Sequence, residues 1–269
     1  MAFAQAPAAA KSGAAAPKAG APKAAASKAP ATKAPASTAA SSAKLLNPAA
    51  WTKQAPAEFK AKFTTTKGDF VITVHRDWAP LGADRFYNLV RSGFFTNVSF
   101  YRVVPNFVVQ FGAAPDPKVE AAWSKANIKD DLVKQSNTKG RVTFAMGGPA
   151  TRTTQVFINL KDNSATLDKY PGAAFAPVGE VTEGMDIVSA LYSGYGDMAE
   201  QGGNGPSQAI VTKQGKPYLD KNFPNLDSIK TATVEGETAG APAAAKPKPA
   251  AGGAAKPKPA APKTPAPAK

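Results

Sequence analysis

Phe100-Tyr101-Arg102-Val103-Val104-Pro105-Asn106-Phe107-Val108-Val109-Gln110 is an almost wholly apolar run that holds one arginine and one glutamine. A second such stretch follows, Phe144-Ala145-Met146-Gly147-Gly148-Pro149, and leads to Gln155-Val156-Phe157-Ile158. Short runs rich in β-branched and aromatic residues are strand signals. A guanidinium inside one needs a reason, because it stays charged and is costly to bury unpaired. It either points to solvent from an edge strand or works inside with partners. The run alone leaves both open.

Working outward, strand signals recur at 57–66, 69–75, 98–104, 107–111, 140–145, 155–160, 175–181 and 231–235. The first two flank Lys67-Gly68-Asp69 and read as a hairpin. Helical spacing covers 82–92, where Ala83, Phe86, Leu89 and Val90 share a face that ends at Gly93. It recurs over 184–192, with Ile187, Val188 and Leu191 inward. Many short strands with two isolated helices indicate a mostly-β protein. Phe63, Phe70, Phe94, Phe95 and Phe100 are core candidates. Residues 112–139 read as a loop framing a binding face, and 193–230 as a long connection anchored, like that loop, by Trp123 and Tyr218.

Composition divides the chain. Residues 1–44 and 239–269 are almost entirely Ala, Pro, Lys, Ser, Thr and Gly, with six lysines each and no acid. The middle keeps 21 of the 33 Lys+Arg against all 19 Asp+Glu, so it carries about +2 of the formal +14. The basic character belongs to the ends. Lacking side chains that could offset chain entropy, 1–44 and 239–269 are expected to be disordered tails around a single domain at 45–238. Flexible basic arms can hold polyanions nonspecifically, or act only as solvating linkers. Salt-insensitive passage over a polyanion column would rule out the first role.

The chain has no cysteine, which excludes disulfides and thiol catalysis. No apolar run approaches the ~20 residues of a membrane span. The start, Met1-Ala2-Phe3-Ala4-Gln5, has neither a basic nor an apolar leader region, so a cytoplasmic location is expected; Ala2-Phe3-Ala4 resembles a cleavage-site end, which leaves export open. The one histidine, His75, ends a predicted strand and reads as a surface residue rather than a base. No His/Cys cluster, nucleophile elbow or phosphate-binding loop is present, so no metal or cofactor is called for.

The two apolar stretches, in this order, resemble the signature of the cyclophilin family of peptidyl-prolyl isomerases. The resemblance covers roughly 58–234, including the Phe63–Phe70 hairpin and Gly179-Glu180-Val181-Thr182-Glu183-Gly184. It implies a closed eight-stranded antiparallel β-barrel capped by two α-helices, with a 193–230 insertion like that of some bacterial-type members. It also implies roles. Arg102 matches the catalytic arginine, Gln110 the glutamine that orients it and bonds the substrate, and Phe107, Val108, Phe157 and Leu167 the proline pocket. Ala145 and Met146 match the edge that pairs with the peptide backbone, and Gln155 a support beside the pocket floor. Val108 stands for the usual methionine, Met146 for asparagine, Thr166 for tryptophan, and Phe175, closing the rim, for histidine. The implied partners are unfolded or flexible proline-containing polypeptides; nothing in the sequence suggests an obligate oligomer, so a monomer is expected.

Three readings follow: a working isomerase, a cyclophilin-like module that holds proline segments without turnover, and a scaffold whose function lies in its basic ends. Arg102, Phe107 and Gln110 together favour the first, since a mere binder has little use for the arginine.

Overall fold

The computed structural model describes residues 43–172 and 175–236. The segments read as disordered tails lie outside the described residues, apart from 43–44. Two indoles tie the beginning of the described chain to the fold: Trp51 Nε1 donates to the Lys44 carbonyl at 3.2 Å and Trp123 Nε1 to that of Leu45 at 2.8 Å.

Eight strands form one antiparallel sheet: β1 (Glu58–Thr65), β2 (Asp69–His75), β3 (Arg102–Val104), β4 (Val108–Phe111), β5 (Arg141–Phe144), β6 (Val156–Asn159), β7 (Pro177–Glu183) and β8 (Ile229–Val234). Their spatial order is β3-β4-β6-β5-β7-β2-β1-β8. The first six fall within runs expected from the sequence; β7 ends two residues past its expected run, and β8 begins two residues before its own. In β1 every second side chain is buried, because pleating sends successive residues to opposite faces. The expected strand 98–104 divides. Residues 102–104 pair with β4, whereas 97–100 turn toward the other edge of the sheet. There Asn97 N–H donates to Ile229 O (2.8 Å), Ile229 N–H to Val98 O (2.7 Å) and Phe100 N–H to Asp227 O (2.9 Å).

The sheet curls around an aromatic core. Phe63 stacks on Phe70 with centroids 5.0 Å apart and is ringed by Phe86, Phe95 and Phe111 at 5.6–6.2 Å. Phe94 and Phe100 are also buried. Helix α1 (Pro80–Arg91) contributes Ala83, Phe86, Tyr87, Leu89 and Val90 to this core. Its first residues lack a local side-chain cap; Asp131, distant in sequence, accepts from Leu81 N–H at 3.0 Å and Gly82 N–H at 2.8 Å, meeting the donors that every helix start leaves open.

The expectation of two helices is too low. Besides α1, the chain forms α2 (Pro117–Trp123), α3 (Ser164–Leu167), α4 (Met185–Ser189), α5 (Gln208–Gln214) and α6 (Lys216–Asn222). The stretch read as a loop at 112–139 therefore contains a helix, with Asp116 capping Lys118 N–H at 2.8 Å and Pro117 in the first turn. α5 and α6 lie within the 193–230 segment, where Ser207 caps α5. In α4, Val188 is fully buried but Ile187 is only half-buried, lying over Gly68 of the first hairpin.

Candidate active site

Ten residues were singled out from the sequence, and the fold gathers all of them. Nine line one hollow of about 550 Å³, counted with the solvent at its opening: Arg102, Phe107, Val108, Gln110, Ala145, Met146, Phe157, Leu167 and Phe175. They arrive from β3, the β3–β4 turn, β4, the chain after β5, β6, α3 and the approach to β7. The tenth, Gln155, lies against the back of this group. Val108, Met146, Phe157, Leu167 and Phe175 form an apolar cluster of their own, separate from the aromatic core. Side chains that served only as core would merge with it; these surround an open space.

Arg102 sits on an edge strand, yet its side chain is only 13% exposed. Nε donates to Asp197 Oδ1 at 2.7 Å and Nη2 to Oδ2 at 3.3 Å, while Nη1 donates to Gln110 Oε1 at 2.9 Å. The Phe107 ring lies beneath the guanidinium, 5.5 Å from its centroid. The register places Arg102 directly opposite Gln110, and Gln110 opposite Phe157. Antiparallel pairing therefore sets arginine, glutamine and pocket phenylalanine side by side on one face.

Behind Gln110 lies a buried polar network. Gln110 Nε2 donates to the Tyr101 hydroxyl at 2.6 Å and to Gln155 Oε1 at 3.2 Å. That hydroxyl stands 2.6 Å from Gln155 Oε1 and 2.8 Å from Gln208 Oε1, and gives its single proton to one of them. Burial pushes the Tyr101 phenol far above its ordinary range, so it stays protonated. Glu120 closes the network, its Oε2 accepting from Ala114 N–H at 2.7 Å and its carboxyl meeting the Gln155 side chain. Burial of Glu120 pushes its carboxyl up to about 7 from 4.5.

That shift sets a stability slope. Below about pH 4.5 the carboxyl is neutral folded or unfolded; as the pH rises toward 7 the unfolded chain gives up this proton first, so native stability falls, then levels off. The whole effect is on the order of 3 kcal/mol. Glu120→Gln keeps an oxygen for Ala114 N–H without a charge. Melting temperatures from pH 4.5 to 8 should fall in the wild type and fall markedly less in Glu120→Gln; parallel curves would refute this account.

The model of the family described as "Cyclophilin type peptidyl-prolyl cis-trans isomerase/CLD" matches residues 60–223. The chain belongs to the cyclophilin family. A peptidyl-prolyl cis-trans isomerase of Acinetobacter baylyi is 32% identical over 139 residues, 51% of this chain and 73% of that protein. Peptidyl-prolyl cis-trans isomerase B of Escherichia coli is 32% identical over 134 residues, 48% and 81% of the two chains. The isomerase cyp18 of Streptomyces antibioticus is 33% identical over 138 residues, again 48% and 81%. This cyclophilin is thus a peptidyl-prolyl cis-trans isomerase.

Three residues of the site escaped the sequence reading. Tyr170 and Met198 line the hollow, and Asp197 holds the arginine. Thr166, at the position read as replacing tryptophan, is exposed on α3, and Tyr170 four residues on meets Phe175 edge-on at 5.6 Å. Asp197 had no local signal. His75 lies away from the hollow, stacked on Trp78 with Nδ1 3.1 Å from Glu58. Among the described residues no group of three or more His, Cys, Asp or Glu side chains is placed to hold a metal ion, and no helix is long and apolar enough to cross a membrane.

Proposed function

We propose that the cyclophilin fold at 45–238 accelerates rotation about X-Pro bonds in unfolded or flexible polypeptides without covalent chemistry, using Arg102 as donor and the apolar hollow as the proline site. One observation carries this reading: a guanidinium held on the wall of an apolar hollow with two of its five N–H bonds uncommitted among the described residues. The uncatalysed barrier, about 18–20 kcal/mol, is the double-bond character of the C–N bond. A donor aimed at the prolyl nitrogen stabilises the pyramidal nitrogen of the twisted amide, so it acts more strongly on the transition state than on the ground state.

In this reading Phe107, Val108, Met146, Phe157, Leu167 and Phe175 grip the proline ring and exclude water. Gln110 orients the arginine and bonds the substrate backbone, supported by Gln155. The Ala145 N–H is engaged by Gln155 O at 2.9 Å, so pairing with a peptide falls to the Ala145 carbonyl and the Met146 backbone. We also read the curled sheet as a closed barrel, supported by the hydrogen bonds joining 97–100 to 227–229. This keeps the edge strand that carries Arg102 from moving relative to the pocket.

The test is cis-to-trans relaxation of an Ala-Pro peptide with the full-length protein. Acceleration is expected; none from intact, folded protein would leave a proline-binding module. A related expectation concerns cyclosporin. With Thr166 in place of an indole donor, it should bind weakly while isomerisation persists, as titration calorimetry would report; affinity equal to that of tryptophan-bearing relatives would contradict this.

A further inference from the structure

The inserted segment between α4 and α5 reaches into the site. Asp197 faces Arg102 side-on, engaging Nε and Nη2, while Gln110 engages Nη1. Together they fix the plane of the guanidinium from two sides. One N–H on each of Nη1 and Nη2 is left without a partner among the described residues. Held by one partner alone, a guanidinium can still swing about its long side chain; held by two, it cannot without breaking a charge-assisted bond.

The loop that presents Asp197 is itself built to hold it. Asp197 Oδ1 also accepts from Met198 N–H at 2.7 Å, and the Asp197 carbonyl accepts from Gly205 N–H at 2.8 Å. Met198 and Gly205 form a parallel bridge. A Cβ on Gly203 or Gly205 would stand 2.1 or 2.6 Å from the Asp197 carbonyl oxygen, so only glycine lets the loop close this tightly. Met198, 3% exposed, packs into a cluster with Tyr101, Ala113, Val211 and Leu219, and also lines the hollow. Glu200 fastens the loop to the start of α5 by accepting from Gln208 and Ala209 N–H at 3.0 and 3.1 Å.

We infer that Asp197 is a positioning residue for isomerisation: the insertion is a fixed arm whose carboxylate aims Arg102 at the prolyl nitrogen. This rests on Arg102 being the donor. The carboxylate also lowers the positive potential that the arginine presents, an effect opposed to aiming. Aiming prevails because hydrogen-bond strength falls steeply with angle, and the donor acts only where the nitrogen pyramidalises.

The experiment measures kcat and KM of the full-length protein for an Ala-Pro peptide with Asp197→Asn, Asp197→Glu, Arg102→Ala and the double variant Arg102→Ala/Asp197→Asn, each checked for folding by thermal melt. Asp197→Asn keeps the Met198 contact and should lower kcat roughly tenfold with KM within about twofold, a fraction of what loss of a donor costs. Asp197→Glu, which restores the charge, should recover part of kcat, and remains the deciding variant where Asp197→Asn does not fold. In the Arg102→Ala background, Asp197→Asn should change nothing further. Unchanged or raised kcat in Asp197→Asn overturns the inference while leaving Arg102 as donor. Equal losses in both backgrounds overturn it too, since Asp197 would then act without the arginine. Full kcat in Arg102→Ala removes the reading beneath it.

Discussion

Arg102→Ala should lower kcat/KM for an Ala-Pro peptide by about 10²–10³-fold, the range seen when one preorganised donor is removed from a site that stabilises developing charge. KM should change little, because the side chains proposed to grip the ring come from the β3–β4 turn, β4, the chain after β5, β6, α3 and the approach to β7, not from β3. The substitution also strands two acceptors, the Asp197 carboxylate and Gln110 Oε1, each now without its guanidinium partner. Asp197 retains the Met198 N–H and is partly open to solvent, so the fold should survive with a modest drop in melting temperature. Coupled measurement of kinetics and melting separates the outcomes. Undiminished kcat/KM in a folded variant would remove the arginine from the mechanism and leave the pocket alone as the catalyst.

The largest stability effect is expected at Phe63. This ring is fully buried on β1, stacked on Phe70 and touching rings from α1, β4 and the segment after α1. Phe63→Ala opens a cavity among rigid rings that cannot close in from several directions at once. The expected cost is about 3–5 kcal/mol, roughly 10 °C in melting temperature for a domain of this size. Because the proline pocket is a separate cluster, kcat/KM of the molecules still folded should stay near the wild-type value. A melting shift below about 3 °C would mean that the core repacks around the loss.

Much of this fold was legible. Alternation in Glu58–Thr65 and the apolar runs of Val108–Phe111 and Val156–Asn159 are local patterns, and strands form where they occur. The helix at Pro117–Trp123 was legible in principle: Asp116-Pro117 is a start signal, and Val119, Glu120 and Trp123 fall on one face. Over 112–139 as a whole no strong periodicity shows, and a helix of two turns is too short to stand out as one. The helices Gln208–Gln214 and Lys216–Asn222 are seven residues each, too short to show periodicity and stable only through packing around Met198, Val211 and Leu219.

Local patterns placed the strands along the chain and separated a near-neutral middle from basic ends, while the motifs that resemble the cyclophilin signature marked the ten residues that the fold gathers around one hollow. The first two follow from side-chain type and short-range spacing; the last follows from the resemblance. Which of these residues touch, that Glu120 lies buried behind Gln155, and that Asp197, 95 residues along the chain, closes on Arg102 are settled by contacts between distant segments. A carboxylate in a glycine-rich loop looks like any solvated acid until the backbone route is known. That route is set by non-local hydrogen bonds and by packing of the 193–230 segment against the sheet, neither of which leaves a periodic mark in the sequence.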